Sequence, residues 1–251
     1  MGSLMNFIAG IINLGTLFIF PLFAQISLGW SASQTGAFMI PGTMVSIVGM
    51  IGTKKLMESG VHPKIVILSG LTMTTIFLVI LSFSSPDSSS HNFFWPFIIR
   101  GIGTVMLMMP VMDMAVAGLT GKNLAQAVGL SNMLRQMGGA VGVALMNIYI
   151  NYENAFVRAN MISNISDYNS ISADRSSSLT QTFISSGYGP DEATAMSNQL
   201  MYSALNKQQL LVSYNHGFMF VAMVLLLCVP IVLLIRYNKK QKVDEAILEM
   251  H

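Results

Sequence analysis

Residues 124–150 read LAQAVGLSNMLRQMGGAVGVALMNIYI, an apolar, small and neutral-polar stretch interrupted by a single charge, Arg135. At about 1.5 Å rise per residue its 27 residues span about 40 Å, enough to cross a hydrocarbon core of about 30 Å with Arg135 near the middle. An ionisable side chain at that depth is costly and marks a translocation pathway or a buried polar network, with a purely structural clamp as the competing reading. Asn132, Arg135, Gly139, Gly142 and Met146 advance by three or four residues and form one polar-to-small stripe, with Gln136 beside it. Gly138 and Gly142 form a GxxxG pair, which points first to close helix packing.

The rest of the chain fits this reading. Hydrophobic residues make up 53% of 251, charged residues 10%, and the mean hydropathy is +0.60, outside the range of a soluble domain of this size. Six apolar segments have spanning length, at 4–26, 36–53, 64–83, 93–119, 124–150 and 217–237. Their apolar runs are continuous, without the alternation of barrel strands, so the expected fold is an all-α polytopic membrane protein with six transmembrane helices in the lipid bilayer. The organisation is five spans in 1–150, an extracytoplasmic loop at 151–216, the sixth span at 217–237 and a cytoplasmic tail at 238–251.

Lys54, Lys55, Lys64, Lys122, Arg236, Lys239, Lys240 and Lys242 collect on one side, whereas the turns SLGWSASQT and SSPDSSSHN carry no lysine or arginine. The positive-inside rule places both termini in the cytoplasm. The net charge of +2 forms no patch for nucleic acid, and Cys228, the only cysteine, excludes an intrachain disulfide. In the long loop, Gly189 and Pro190 followed by Asp191 and Glu192 predict a helix start, and Met196, Leu200, Tyr202 and Leu205 continue an amphipathic helix. That loop reads as a solvated tether or as a docking surface for an external partner.

Two further charges lie inside spans, Arg100 and Asp113, both on the fourth. Arg100 is close enough to the outer boundary to snorkel; Asp113 is too short to do so and is expected to be buried or to face water. The third and sixth spans hold no ionisable residue and are expected to face lipid. His62, His91, His216 and His251 fall in loops, tails or helix ends, with no HExxH pair, nucleophile elbow or phosphate loop, so neither a metal site nor an enzyme is expected.

Four stretches carry a family resemblance: FPLFAQISLGWSASQTGAFMIPG at 20–42, FWPFIIRGIGTVMLMMP at 94–110, GLSNMLRQMGGAVGVAL at 129–145 and NKQQLLVSYNHGF at 206–218. The chain resembles the C-terminal half of a major facilitator superfamily transporter of the 14-helix drug:proton antiporter branch, EmrB-type. The long outer loop is similar to that group's as well. The loop MESGVHPK at 57–64 departs from the superfamily's acidic-basic loop, since Ser59 stands where a base is usual; His216 and Asp113 also differ from most relatives.

The resemblance implies proton-driven efflux of hydrophobic small molecules across the inner membrane, with the proton gradient as energy source and no cofactor. It implies as partners the N-terminal transporter half, which this stretch lacks, a periplasmic adaptor and an outer-membrane channel. It places Arg100 and Asp113 along the central cavity, and Arg135, Asn132 and Gln136 at the interface with the other half, in a network that changes partners between states. A transporter of another cargo, such as a siderophore or metabolite, and a non-transporting truncated fragment remain alternatives.

Overall fold

A computed structural model describes residues 2–85, 88, 90–162 and 170–234. Among them the chain forms seven helices and no strand: α1 Gly2–Ile26, α2 Ala32–Glu58, α3 Pro63–Ser82, α4 Ser90–Val116, α5 Gly121–Ile162, α6 Ser170–Ser185 and α7 Pro190–Leu234.

Local chemistry sets several of the boundaries. Ser31 and Gln34 close a reciprocal capping box at the start of α2, with the Gln34 amide donating to the Ser31 hydroxyl at 3.1 Å and the Ser31 amide donating to the Gln34 side chain at 3.0 Å. Pro63 opens α3 behind His62, and Pro190 opens α7 with Asp191 and Glu192 in its first turn, where acidic groups suit the helix dipole. Gly187, at φ +100°, makes the left-handed turn between α6 and α7 that a side chain would strain.

Five of these helices are long and apolar enough to cross a membrane: α1, α2, α3, α4 and α7. The expected span at 124–150 lies within α5, which falls short of that apolarity, because glycines and polar residues occupy the positions that other spans give to large aliphatic side chains. Six spans therefore become five by this measure, and α5 earns its place by packing.

The expected loop at 151–216 is largely helical. It contains the end of α5, all of α6 and the first part of α7, which runs unbroken past Gly217. The physical reason is that polarity changes at 151 without a proline or glycine to stop the helix, so α5 reaches 42 residues and α7 reaches 45. Each is about 65 Å long, twice the thickness of a hydrocarbon core. Residues 163–169 of that loop, 235–237 of the sixth expected span and the tail at 238–251 lie outside the described residues, as do Pro86, Asp87 and Ser89.

In the bundle α1 packs most extensively on α5, α4 lies between α2 and α3, α7 packs on α3 and α5, and among the described residues α6 packs only on α7. α3, expected to face lipid, buries Val66, Ile67, Leu71, Phe77, Leu78 and Leu81 against its neighbours; α2 is the least covered of the five apolar helices. An absence of charge tells nothing about which helices meet.

Glycine makes the closest approaches. Cβ atoms placed on Gly138 and Gly142 of α5 would overlap the Phe7 and Ile11 carbonyls of α1, and one on Gly10 would overlap the Arg135 carbonyl. A Cβ at Gly70 of α3 would lie 2.6 Å from the Leu107 amide of α4. Between α2 and α4 the Ser46 hydroxyl lies 3.0 Å from the Gly42 carbonyl and 3.1 Å from that of Gly101.

Candidate functional site

The α1–α5 seam fixes the depth and direction of Arg135. Its backbone is pressed against Gly10, so the side chain is directed away from α1 and back along α5. There its guanidinium donates to the Asn132 side-chain oxygen at 3.0 Å and contacts the Met108 sulfur of α4 at 3.7 Å. Asn132 is one turn earlier on the same face, the spacing at which two helical side chains meet. The group is half-buried between α4 and α5.

A neutral amide and a thioether satisfy some of the five donors of the guanidinium but supply no countercharge. The polarizable sulfur is a weak acceptor, so this is a low-affinity seat that a stronger acceptor would displace. Chemically, the guanidinium can donate to an anionic or carbonyl group.

The other expected residues lie elsewhere. Gln136, the next residue after Arg135, is on the exposed surface of α5. Asp113 is exposed on α4, five residues beyond Met108. Arg100 is inside the bundle, 9% exposed, with its guanidinium carbon 5.6 Å from the centroid of the Phe77 ring on α3. Phe77 in turn meets Phe97 edge-on at 5.2 Å. An arginine held over an aromatic face in a desolvated site gains about 2 kcal/mol, and in this position it is part of the packing between α3 and α4. The structure joins Arg135 and Asn132 by a hydrogen bond, and Gly138 and Gly142 underlie them at the seam with α1.

Met108, Asn6 and the pairing of Glu153 with His216 were not read from the sequence, although His216 itself was noted there as a departure from most relatives. Met108 looks like any core methionine, and no sequence signal marks it as a partner of an arginine 27 residues away. Asn6 on α1 is 2% exposed, and a polar residue within the first span was a signal that could have been read. Glu153 and His216 meet at 2.5 Å across α5 and α7, 63 residues apart.

The α2 and α5 surfaces carry rows of exposed apolar side chains, Ile40, Met44, Ile47 and Ile51 on one and Met133, Met137, Val141 and Leu145 on the other. Such faces suit lipid or another helical unit.

Comparison with known proteins agrees with this architecture. The Major Facilitator Superfamily profile matches residues 2–143. Similar proteins include the fatty acid resistance protein FarB of Neisseria gonorrhoeae, 23% identical over 92% of this chain and 44% of the relative. The colistin resistance protein EmrB of Acinetobacter baumannii is 30% identical over 51% of the chain and 24% of the relative. The lincomycin resistance protein LmrB of Listeria innocua is 26% identical over 58% and 31%. The chain thus spans under half the length of these curated relatives. With a profile match over more than half of its residues and a bundle of apolar helices packed through glycine seams, the chain belongs to the Major Facilitator Superfamily.

Proposed function

We propose that the chain is the C-terminal six-helix unit of a proton-coupled multidrug efflux transporter of the bacterial inner membrane. The observation that carries the reading is similarity over nearly the whole chain to a protein named for resistance. In this reading α5 completes the six spans despite its lower apolarity, because its polar-to-small face is covered by α1 and α4. A second six-helix unit covers the exposed rows on α2 and α5. Both termini are cytoplasmic, and the end of the bundle bearing α6 faces the periplasm, within reach of an adaptor and, through it, an outer-membrane channel.

Arg135 is the working residue of this unit. Its half-buried position on α5 and its weak neutral partners fit a guanidinium that takes a carboxylate or carbonyl from the second unit in one state and returns to Asn132 in the other. Hydrophobic small molecules are the substrates.

The test is accumulation of a hydrophobic dye in efflux-deficient cells expressing the complete transporter, with and without a protonophore. Lowered accumulation that the protonophore reverses is expected; unchanged accumulation overturns the reading. Arg135→Ala should abolish efflux with membrane abundance nearly unchanged. Loss of the protein itself would instead assign Arg135 to packing.

A further inference from the structure

The two long helices α5 and α7 are laced together at the α6-bearing end by a ladder of three contacts. Nearest the bundle centre, the rings of Tyr149 and Phe220 stack at 4.3 Å with 13° between their planes. One turn outward, His216 Nδ1 lies 2.5 Å from Glu153 Oε1. Beyond them the Gln209 side-chain amide donates to the Asn154 side-chain oxygen at 2.6 Å and to its carbonyl at 3.1 Å. Next to His216, the Asn215 amide donates to the Ser84 carbonyl at 2.8 Å, which ties the same turn of α7 to the end of α3.

The middle rung differs from the others in that its strength depends on a proton. Glu153 is 14% exposed and His216 is 53% exposed, so the imidazole lies between a largely covered carboxylate and water. Among the described residues few other charges lie at this level; on α7 itself Tyr214 is buried and Lys207 is exposed more than two turns away. Of the helices packed on α7, α5 brings Tyr149 and Glu153 to this level, with Tyr152 and Arg158 exposed nearby. α1 has no ionisable side chain, and α3 has only Lys64, at its opposite end. α6 carries Asp174 and Arg175 at the level of Ser197, about 29 Å along α7 from His216.

We propose that His216 and Glu153 form a proton-sensitive latch between α5 and α7, which holds the outer helical extension on the bundle when His216 is protonated and loosens it when the proton leaves. The sign follows from the charges. An imidazolium beside the carboxylate is an ion pair with a hydrogen bond, whereas a neutral imidazole leaves Glu153 with the hydrogen bond alone. The extension is therefore held more tightly in acid than in base. Only the proton moves, between water and the ring nitrogen. The latch needs neither transport nor a particular orientation in the membrane, so it stands apart from the efflux reading.

Pulsed electron–electron distance measurement between spin labels at Ala155 and Ala204, on a Cys228→Ala background in nanodiscs, tests it. Both label positions are exposed. Between about pH 5.5 and about pH 8.5 the held population relative to the loosened one is expected to fall about fivefold, the scale of a partly exposed ion pair. His216→Gln and Glu153→Gln should each remove the pH response, giving the loosened distribution throughout. His216→Arg, charged at both pH values, should keep the held distribution at both. A pH-independent distribution in the parent, or a response that survives in His216→Gln, overturns the latch.

Discussion

The two ends of the bundle are packed by different means. At the end bearing α6, Phe20 and Phe97 meet at 4.4 Å, Phe23 and Phe218 at 5.4 Å, and Trp30 and Phe38 at 5.2 Å, in tilted or edge-on pairs. At the opposite end α1, α3, α4 and α7 meet through Ile8, Ala9, Ile67, Leu107, Val111 and Cys228, and leave an apolar cavity of about 50 Å³. Rings reach across the gap between helices at one end, whereas shorter aliphatic side chains, an alanine and a cysteine leave space at the other. Pro110 and Pro230 each lie within two residues of the cavity wall, at Val111 and at Cys228 and Val232. Proline does not distinguish the ends, since Pro21 and Pro96 lie inside α1 and α4 beside Phe20 and Phe97, and each such residue removes a backbone donor from its helix. The difference teaches that one end of this unit is filled by rings that meet edge-on, whereas the other leaves apolar space between its helices.

The largest break in that contrast is expected from Phe97→Ala, which removes a ring in contact with Phe20, Phe38 and Phe77. Thermal unfolding in detergent should show a loss of about 3–5 kcal/mol. Next comes the glycine seam that joins the two ends along α5. Gly142→Val should drive α1 from α5 at a cost of about 1–3 kcal/mol, read as a lower midpoint and greater protease sensitivity. A normal midpoint would show that the seam is slack.

A smaller effect separates packing from charge at the aromatic end. Phe77→Leu takes the ring from under Arg100 and leaves a desolvated cation, with a cost of about 2 kcal/mol beyond the ordinary volume change. Arg100→Met removes the charge with it and should be nearly neutral in the same unfolding assay. Equal losses in the two variants would show that the cation–ring contact is incidental. The smallest effect is a gain: Ala9→Val fills part of the cavity and should add about 0.5–1 kcal/mol. A decrease would mean that the wall is too rigid to accept two further methyl groups.

Much of this was legible in the chain. The membrane character, the start of α7 at Pro190, and the small-residue face of α5 follow from hydropathy, first-turn chemistry and helical spacing, all of which act over a few residues. The end of α5 and the continuity of α7 through Gly217 were not legible, because a change from apolar to polar composition alters the solvent around a helix without breaking its hydrogen bonds. Arg100 and Arg135 looked alike as intramembrane charges. Their separation into a packed cation over Phe77 and a half-buried group beside Asn132 depends on which way each helix is rotated, and rotation is settled by neighbours.

By itself the sequence determined that this chain lies in a membrane as helices, because its long apolar runs leave the backbone no other way to satisfy its hydrogen bonds in lipid. It also determined the positions where helices can touch backbone to backbone, since glycine alone lacks the Cβ that forbids it. Only the tertiary structure decided that Met108 lies by Arg135, that Phe77 lies under Arg100 and that His216 meets Glu153. Those pairs are separated by 23 to 63 residues and are joined by the crossing of helices, a geometry that no local stretch of chain encodes.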